Sequence, residues 1–136
     1  MSINEQQSLK KEYYGEAIRY MDNAKECLKK AKKEDEYYHD KKYVKMACAT
    51  AYSGLLVALD CFLQLKDIKP KAKERKSIEF YQKNISNLDK KMLSSLNSAY
   101  QVLHLWGYYD GIENVNILKT GFDDTYKIID KIKPTA

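Results

Sequence analysis

The apolar residues of this 136-residue chain recur at steps of three and four over most of its length, with polar residues between them. That spacing belongs to helices that bury one stripe and wet the other. Leu9, Tyr13, Ala17, Met21, Ala24, Leu28 and Ala31 trace a first stripe, predicting a helix that ends near Lys33, with Ser2 and Glu5 spaced as a capping box. A second helix is expected from an N-cap at Asp40 to Lys66. Between Ala47 and Leu65 it is apolar on most sides, as the central helix of a bundle would be. Its small residues Ala47, Ala51, Gly54 and Ala58 let a neighbouring helix approach closely. Asp60 interrupts the run, but it shares one side of the helical wheel with Ser53, Gln64 and Asp67, so a narrow polar edge at the surface accounts for it.

Pro70 prevents that helix from continuing, and a third is predicted over residues 72–85 with Ile78, Tyr81 and Ile85 inward. Ser86 and Asp89 have the spacing of another capping box. Leu88, Met92, Leu96, Ala99, Leu103 and Trp106 then form the stripe of a fourth helix. Because the phase from Ile85 to Leu88 is unbroken, one kinked helix and two separate helices both fit. Gly107 and the Asp110-Gly111 pair mark a turn. Asn114 can cap a last helix with Val115, Leu118, Phe122, Ile129 and Ile132 inward, ended by Pro134. Gly121 lies inside that helix, where it costs about 1 kcal/mol relative to alanine, which points to a close backbone contact. The expected fold is all-α: an antiparallel up-and-down bundle of four main helices with an additional short one, a single domain over residues 1–136 with its core between about residues 9 and 132.

Charge changes this picture little. Lysines and arginines number 24 against 19 acidic residues, a net charge of +5. The excess is local: between residues 66 and 77 six basic side chains face two acidic ones, which makes Lys71, Lys73, Arg75 and Lys76 candidates for contact with an anion, set against a solvated loop. Arg19 and Arg75 are the only arginines, so the bidentate fork that reads bases is nearly absent, and nucleic acid is a weakly supported partner. Cys27, Cys48 and Cys61 form no CxxC pair and read as reduced, small core residues of a cytoplasmic protein. The N-terminus is too polar for a signal peptide, and the most apolar run, "GLLVALDCFLQL", is broken by Asp60 short of a membrane span, so no membrane association is expected.

Motifs of chemistry are missing. His39 lies in a loop, and His104 on a helix has no second ligand three or four residues away, so neither a metal nor a cofactor is expected. Asp123 and Asp124 are adjacent on a helix and point apart, unlike a catalytic carboxylate pair. GxxxxGK, GxGxxG, GxSxG and HExxH are all absent. The twelve tyrosines include pairs at Tyr13-Tyr14, Tyr37-Tyr38 and Tyr108-Tyr109, and packing or an interface explains them better than stacking on bases. The stretch "LHLWGYYDGIENVNILKTGFDD", with three of the five glycines and the single tryptophan, is the candidate site: His104, Trp106, Tyr108, Tyr109, Asp110 and Gly111.

Two segments, "YMDNAKECLKKAKKEDEYYHDKKYVKMACATAYSGLLVALDCFLQL" and "LHLWGYYDGIENVNILKTGFDDTYKII", together resemble the HEPN-like helical bundles over about residues 13 to 132. The second is similar to a small bacterial family of helical proteins of unknown function. The resemblance implies a bundle that is frequently a homodimer, with relatives among nucleotidyltransferase-associated subunits and toxin ribonucleases. The ribonuclease members share an arginine followed after four to six residues by histidine near the junction leading into the last helix. Here neither Arg19 nor Arg75 is followed by histidine at that spacing, and no catalytic residue carries over. The expectation is therefore a non-catalytic binding or interaction module, dimeric, with a nucleotidyltransferase or another protein as partner. The alternative is an unorthodox ribonuclease or other phosphate-handling enzyme that uses His104 with Asp110, Lys119 or Tyr109.

Overall fold

In the computed structural model, which describes residues 1–135, the stripes become helices. The first, α1, spans Ile3–Lys30, and Ser2 with Glu5 forms the expected reciprocal capping box. The second, α2, spans Lys41–Leu65 from its N-cap Asp40. A short α3, Ile78–Ser86, is followed by α4, Lys90–Ala99. From Tyr100 to Tyr109 the chain continues from α4 as a π-helix, before a last helix, α5, over Val115–Asp130. Between α1 and α2 lies a two-strand ribbon that periodicity does not announce: β1, Lys33–Glu34, pairs antiparallel with β2, Tyr37–Tyr38.

Contacts along the helices give their directions. Tyr13 bonds Gln64, Gly54 lies against Ala17, Tyr20 and Met21, and the Cys27 thiol donates to the Tyr43 carbonyl, so α1 and α2 run antiparallel. Gly107 meets Cys48 while Tyr100 meets Tyr52, so the π-helix runs antiparallel to α2. Lys131 pairs with Asp89 and Gly121 lies on Val102, which sets α5 antiparallel to α4 and the π-helix. Helix α2 is central: its buried Val44, Cys48, Ala51, Leu55, Ala58 and Leu59 join one continuous core with Met21 of α1, Leu96 and Leu103 of the third rod, and Leu118, Ile129 and Ile132 at the C-terminus. By length and apolarity alone α2 would suffice to cross a membrane. In this fold its ten buried residues face other helices instead.

The third helix begins at Ile78, not near residue 72. The Ser77 hydroxyl accepts the Phe80 N–H at 3.3 Å and starts it there. Residues 71–76 offer nothing apolar beyond Ala72, so no burial repays their ordering as helix. The phase across residues 85–88 does not fuse α3 with α4. Asn87 caps α3, and Asp89 caps α4 by accepting the Met92 N–H at 3.0 Å. Ser86 takes no part in a capping box, because its hydroxyl donates to the Lys83 carbonyl at 2.8 Å. Leu88, placed on the inward stripe by spacing, sits exposed in this junction. Asn114 caps α5 as expected, accepting the Ile117 N–H at 2.9 Å, while Val115 is only half-buried.

The π-helix accounts for a further departure from the periodic reading. An α-helical phase carries the inward stripe from Ala99 and Leu103 to Trp106. The wider π turn carries it to Gly107 instead, which is buried, and leaves Trp106 40% exposed. Gly107 is therefore not part of the turn. It is the point where the π-helix touches α2 so closely that a Cβ would lie 2.8 Å from the Cys48 Cβ, besides crowding the Val102 carbonyl oxygen of its own helix at 2.9 Å. Gly121 has the close contact its helical position implied, since a Cβ there would fall 2.6 Å from Val102 Cγ1.

The ribbon anchors the loop that leads into α5. The Tyr38 N–H donates to the Glu113 carbonyl and the Val115 N–H to the Glu36 carbonyl, both at 2.8 Å. The α1–α2 connection is thus tied to the segment between the π-helix and the last helix. Gly111 supplies the positive φ of that loop, +66°, and packs on the Lys41 and Lys45 stems.

These contacts separate the glycines in urea or thermal unfolding. Gly107→Ala and Gly121→Ala should each lower stability by about 1–3 kcal/mol through overpacking. Gly15→Ala, in open space on α1, should raise it by up to about 1 kcal/mol through helix propensity.

Candidate functional site

The best-organised surface feature lies on the π-helix. Tyr100, His104 and Tyr108 recur every fourth residue and Tyr109 follows His104 by five, so wide turns set all four rings on one side. Tyr52 of α2 completes the group. His104 stacks on Tyr52 with centroids 4.7 Å apart and 29° between planes, and on Tyr100 at 5.3 Å and 23°. Tyr108 lies at 5.9 Å and 21°, and Tyr109 meets the imidazole edge-on at 5.0 Å. Tyr109 is 61% exposed and Tyr108 43%, while Tyr52, Tyr100 and His104 are half-buried. The result is an aromatic face with a covered root and an open tip.

Its electrostatics do not favour general-base chemistry. Burial lowers the His104 pKa below its ordinary value, and no carboxylate among the described residues forms an ion pair or hydrogen bond with the ring. Without a partner to orient it or stabilise its cation, the imidazole is a neutral stacked ring at neutral pH. Burial first, then Tyr100 and Glu79, push the Tyr52 phenol up to about 12, so it too stays neutral. His39 is exposed and pairs with Glu34 at 2.6 Å. Among the described residues no cluster of three or more potential metal ligands occurs.

The residues that the sequence groups as one corner divide between two sides of the π-helix. His104, Tyr108 and Tyr109 belong to the aromatic face. Trp106 turns away into a groove beside α5, with Gln101, Val102, Asn116 and Ile117. Asp110 is exposed at the end of the π-helix, and Gly111 faces the start of α2. Two members of the face, Tyr52 and Tyr100, are not among the sequence candidates. The spacing 100-104-108 carries a signal for Tyr100, but nothing local could bring in Tyr52, which is 48 residues before it.

The basic segment lies elsewhere. It follows the C-terminal end of α2, whereas the corner packs on Lys41, Lys45, Cys48 and Tyr52 in the N-terminal half of that helix. Lys71, Lys73 and Arg75 are exposed. Lys76 is engaged by Asp60 at 3.3 Å, and the same carboxylate accepts the Tyr81 hydroxyl at 2.7 Å. Asp60 thus sits on the polar edge expected of it, with its side chain 24% exposed, and fastens α3 to α2. The three cysteines are free thiols; Cys48 and Cys61 are buried core residues as expected, whereas Cys27 is only half-buried at the α1–α2 contact. Burial pushes Cys48 up to about 12 and Cys61 to about 11.

Fold and face together define a mostly helical protein with a small two-strand ribbon and an aromatic surface. Residues 12–134 match the family described as Domain of unknown function (DUF5618), and the chain belongs to that family. Among solved structures it is similar to a protein of unknown function from Dyadobacter fermentans, with 44% identity over 90% of this chain and 94% of that one, and a TM-score of 0.82. A search of curated proteins gives no match.

Two measurements probe these contacts. Tyr81→Phe removes a hydrogen bond to a carboxylate and should lower stability by about 1.5–3 kcal/mol, read by urea unfolding. For His104 the folded pKa lies below the unfolded one, so the unfolded state binds more protons as pH falls. The stability due to the neutral ring is complete above the unfolded value of about 6.5 and declines as pH drops through it toward the folded value. Chemical denaturation at a series of pH values should show that decline, and His104→Gln should flatten it.

Proposed function

We propose that this protein is a non-catalytic interaction module that associates with a second copy through the aromatic face, and that its helices form a HEPN-like bundle. The observation that carries the reading is the continuous group Tyr52, Tyr100, His104, Tyr108 and Tyr109, whose open tip leaves two tyrosines exposed. Tyrosine is the residue interfaces favour, since its ring supplies apolar area and its hydroxyl tolerates the wet rim. Charge supports pairing with a like face. Lys41 and Lys45 border the end at Gly111 beside the exposed Asp110, and Glu79 acts on Tyr52 at the other, so a two-fold arrangement can set the lysines of one copy against Glu79 of its partner.

A nucleotidyltransferase or another protein is the heterologous partner this reading admits, and a reducing cytoplasm the compartment that suits three free thiols. The ribonuclease alternative finds less support. His104 is stacked among tyrosines rather than aimed at a carboxylate, and Lys119 is paired with Asp123 at 2.7 Å.

Sedimentation over a concentration series tests the association. The wild type should pass from monomer to dimer, and Tyr108→Ala with Tyr109→Ala should weaken the dimer roughly tenfold or more while leaving the thermal melt in place. A monomer at every concentration would remove the reading.

A further inference from the structure

The groove on the opposite side of the π-helix from the aromatic face is independent of that association. It has a volume of about 370 Å³ and runs between the end of α4, the π-helix and the start of α5. Trp106, the single tryptophan, forms one wall and is 40% exposed as a residue. Val102 and Ile117 make an apolar floor, and Ser98, Gln101 and Asn116 stand at the rim. In a chain with 32% charged residues, no residue lining this groove is charged. The π geometry builds the wall. Val102 and Trp106 are four residues apart and Gln101 precedes Trp106 by five, so wide turns bring all three to one groove, which Ser98 of α4 extends.

Each feature narrows the ligand. A lining without charge offers no counter-ion, so a phosphate, a carboxylate or an ammonium would surrender hydration with nothing to replace it. An exposed indole face over an aliphatic floor suits a flat apolar surface of modest size. The Ser98 hydroxyl and the Gln101 and Asn116 amides make no hydrogen bond to other described residues, leaving donors and acceptors free beside that surface. A neutral sugar ring combines these properties, with C–H bonds on its face and hydroxyls on its edge. We infer that the Trp106 groove binds a neutral saccharide, with the ring face on the indole and vicinal hydroxyls on Gln101 and Asn116.

Because no other tryptophan is present, emission excited beyond the tyrosine band reports on this groove alone. Titration with maltose, cellobiose, lactose and N,N′-diacetylchitobiose should give a saturable change with at least one of them, in the millimolar range usual for small polar ligands. The double variant Gln101→Ala with Asn116→Ala should weaken that binding roughly tenfold with an unchanged circular dichroism melt. Should that pair unfold, Ser98→Ala with Asn116→Ala replaces it. The assignment is overturned by the absence of a saturable response to all four sugars, by an equal response to inorganic phosphate, or by binding that the amide variants leave intact. It is also overturned if emission changes with protein concentration alone, which would make the groove a contact between copies.

Discussion

The architecture depends on how closely the π-helix is allowed to approach α2. At Gly107 the Cys48 side chain lies directly against the π-helix backbone and fills the space a Cβ would need. Gly54 does the same between α2 and α1, and Gly121 between α5 and the π-helix. Three of the five glycines thus sit at helix contacts, where packing at interior density leaves no volume for one more carbon. With α2 held on two sides in this way, its apolar residues are covered by neighbouring helices and its outer edge is left to Tyr52, Asp60 and Gln64.

A π-helix gives up the better hydrogen-bond geometry of an α-helix, and such segments are often associated with function. Here its wider turn does two things at once. It rotates Gly107 inward to meet Cys48, and it distributes the aromatic residues between opposite sides, His104 with Tyr108 and Tyr109 on one and Trp106 on the other. The two surfaces are chemically unlike. One is a stack of rings with a histidine at its centre and charges at its ends, and the other is an uncharged trough with free amides. A single helical irregularity therefore creates both candidate surfaces, and the ribbon that ties Glu36 and Tyr38 to the loop before α5 holds the end of that irregularity in place.

Much of this is legible in the chain. Capping residues are local chemistry, so Ser2, Asp40 and Asn114 can be read before any packing is known. The small stripe of α2 and the odd placement of Gly121 likewise point to close contacts that exist. The departures cluster where helical phase is extrapolated. Spacing carries Leu88 inward across a junction where the chain leaves the helix, and it carries Trp106 inward by an α repeat that the chain abandons at Tyr100. The start of α3 differs from its periodic reading because charged residues 71–76 are compatible with a helix but have nothing to bury in one.

What the sequence by itself determined is the stripes that must meet and the starts of three helices at Ser2, Asp40 and Asn114, because a step of three or four with a capping side chain is decided within a few residues. What only the tertiary structure decided is the register of the third rod against α2 and α5. That choice turns on whether Gly107 or Trp106 fits the space beside Cys48, a question of volume between segments far apart in the chain. Tyr52 meeting His104 and Asp60 fastening Tyr81 and Lys76 arise from the same cause. Non-local packing placed them together, and no spacing along the chain encodes a distance across the core.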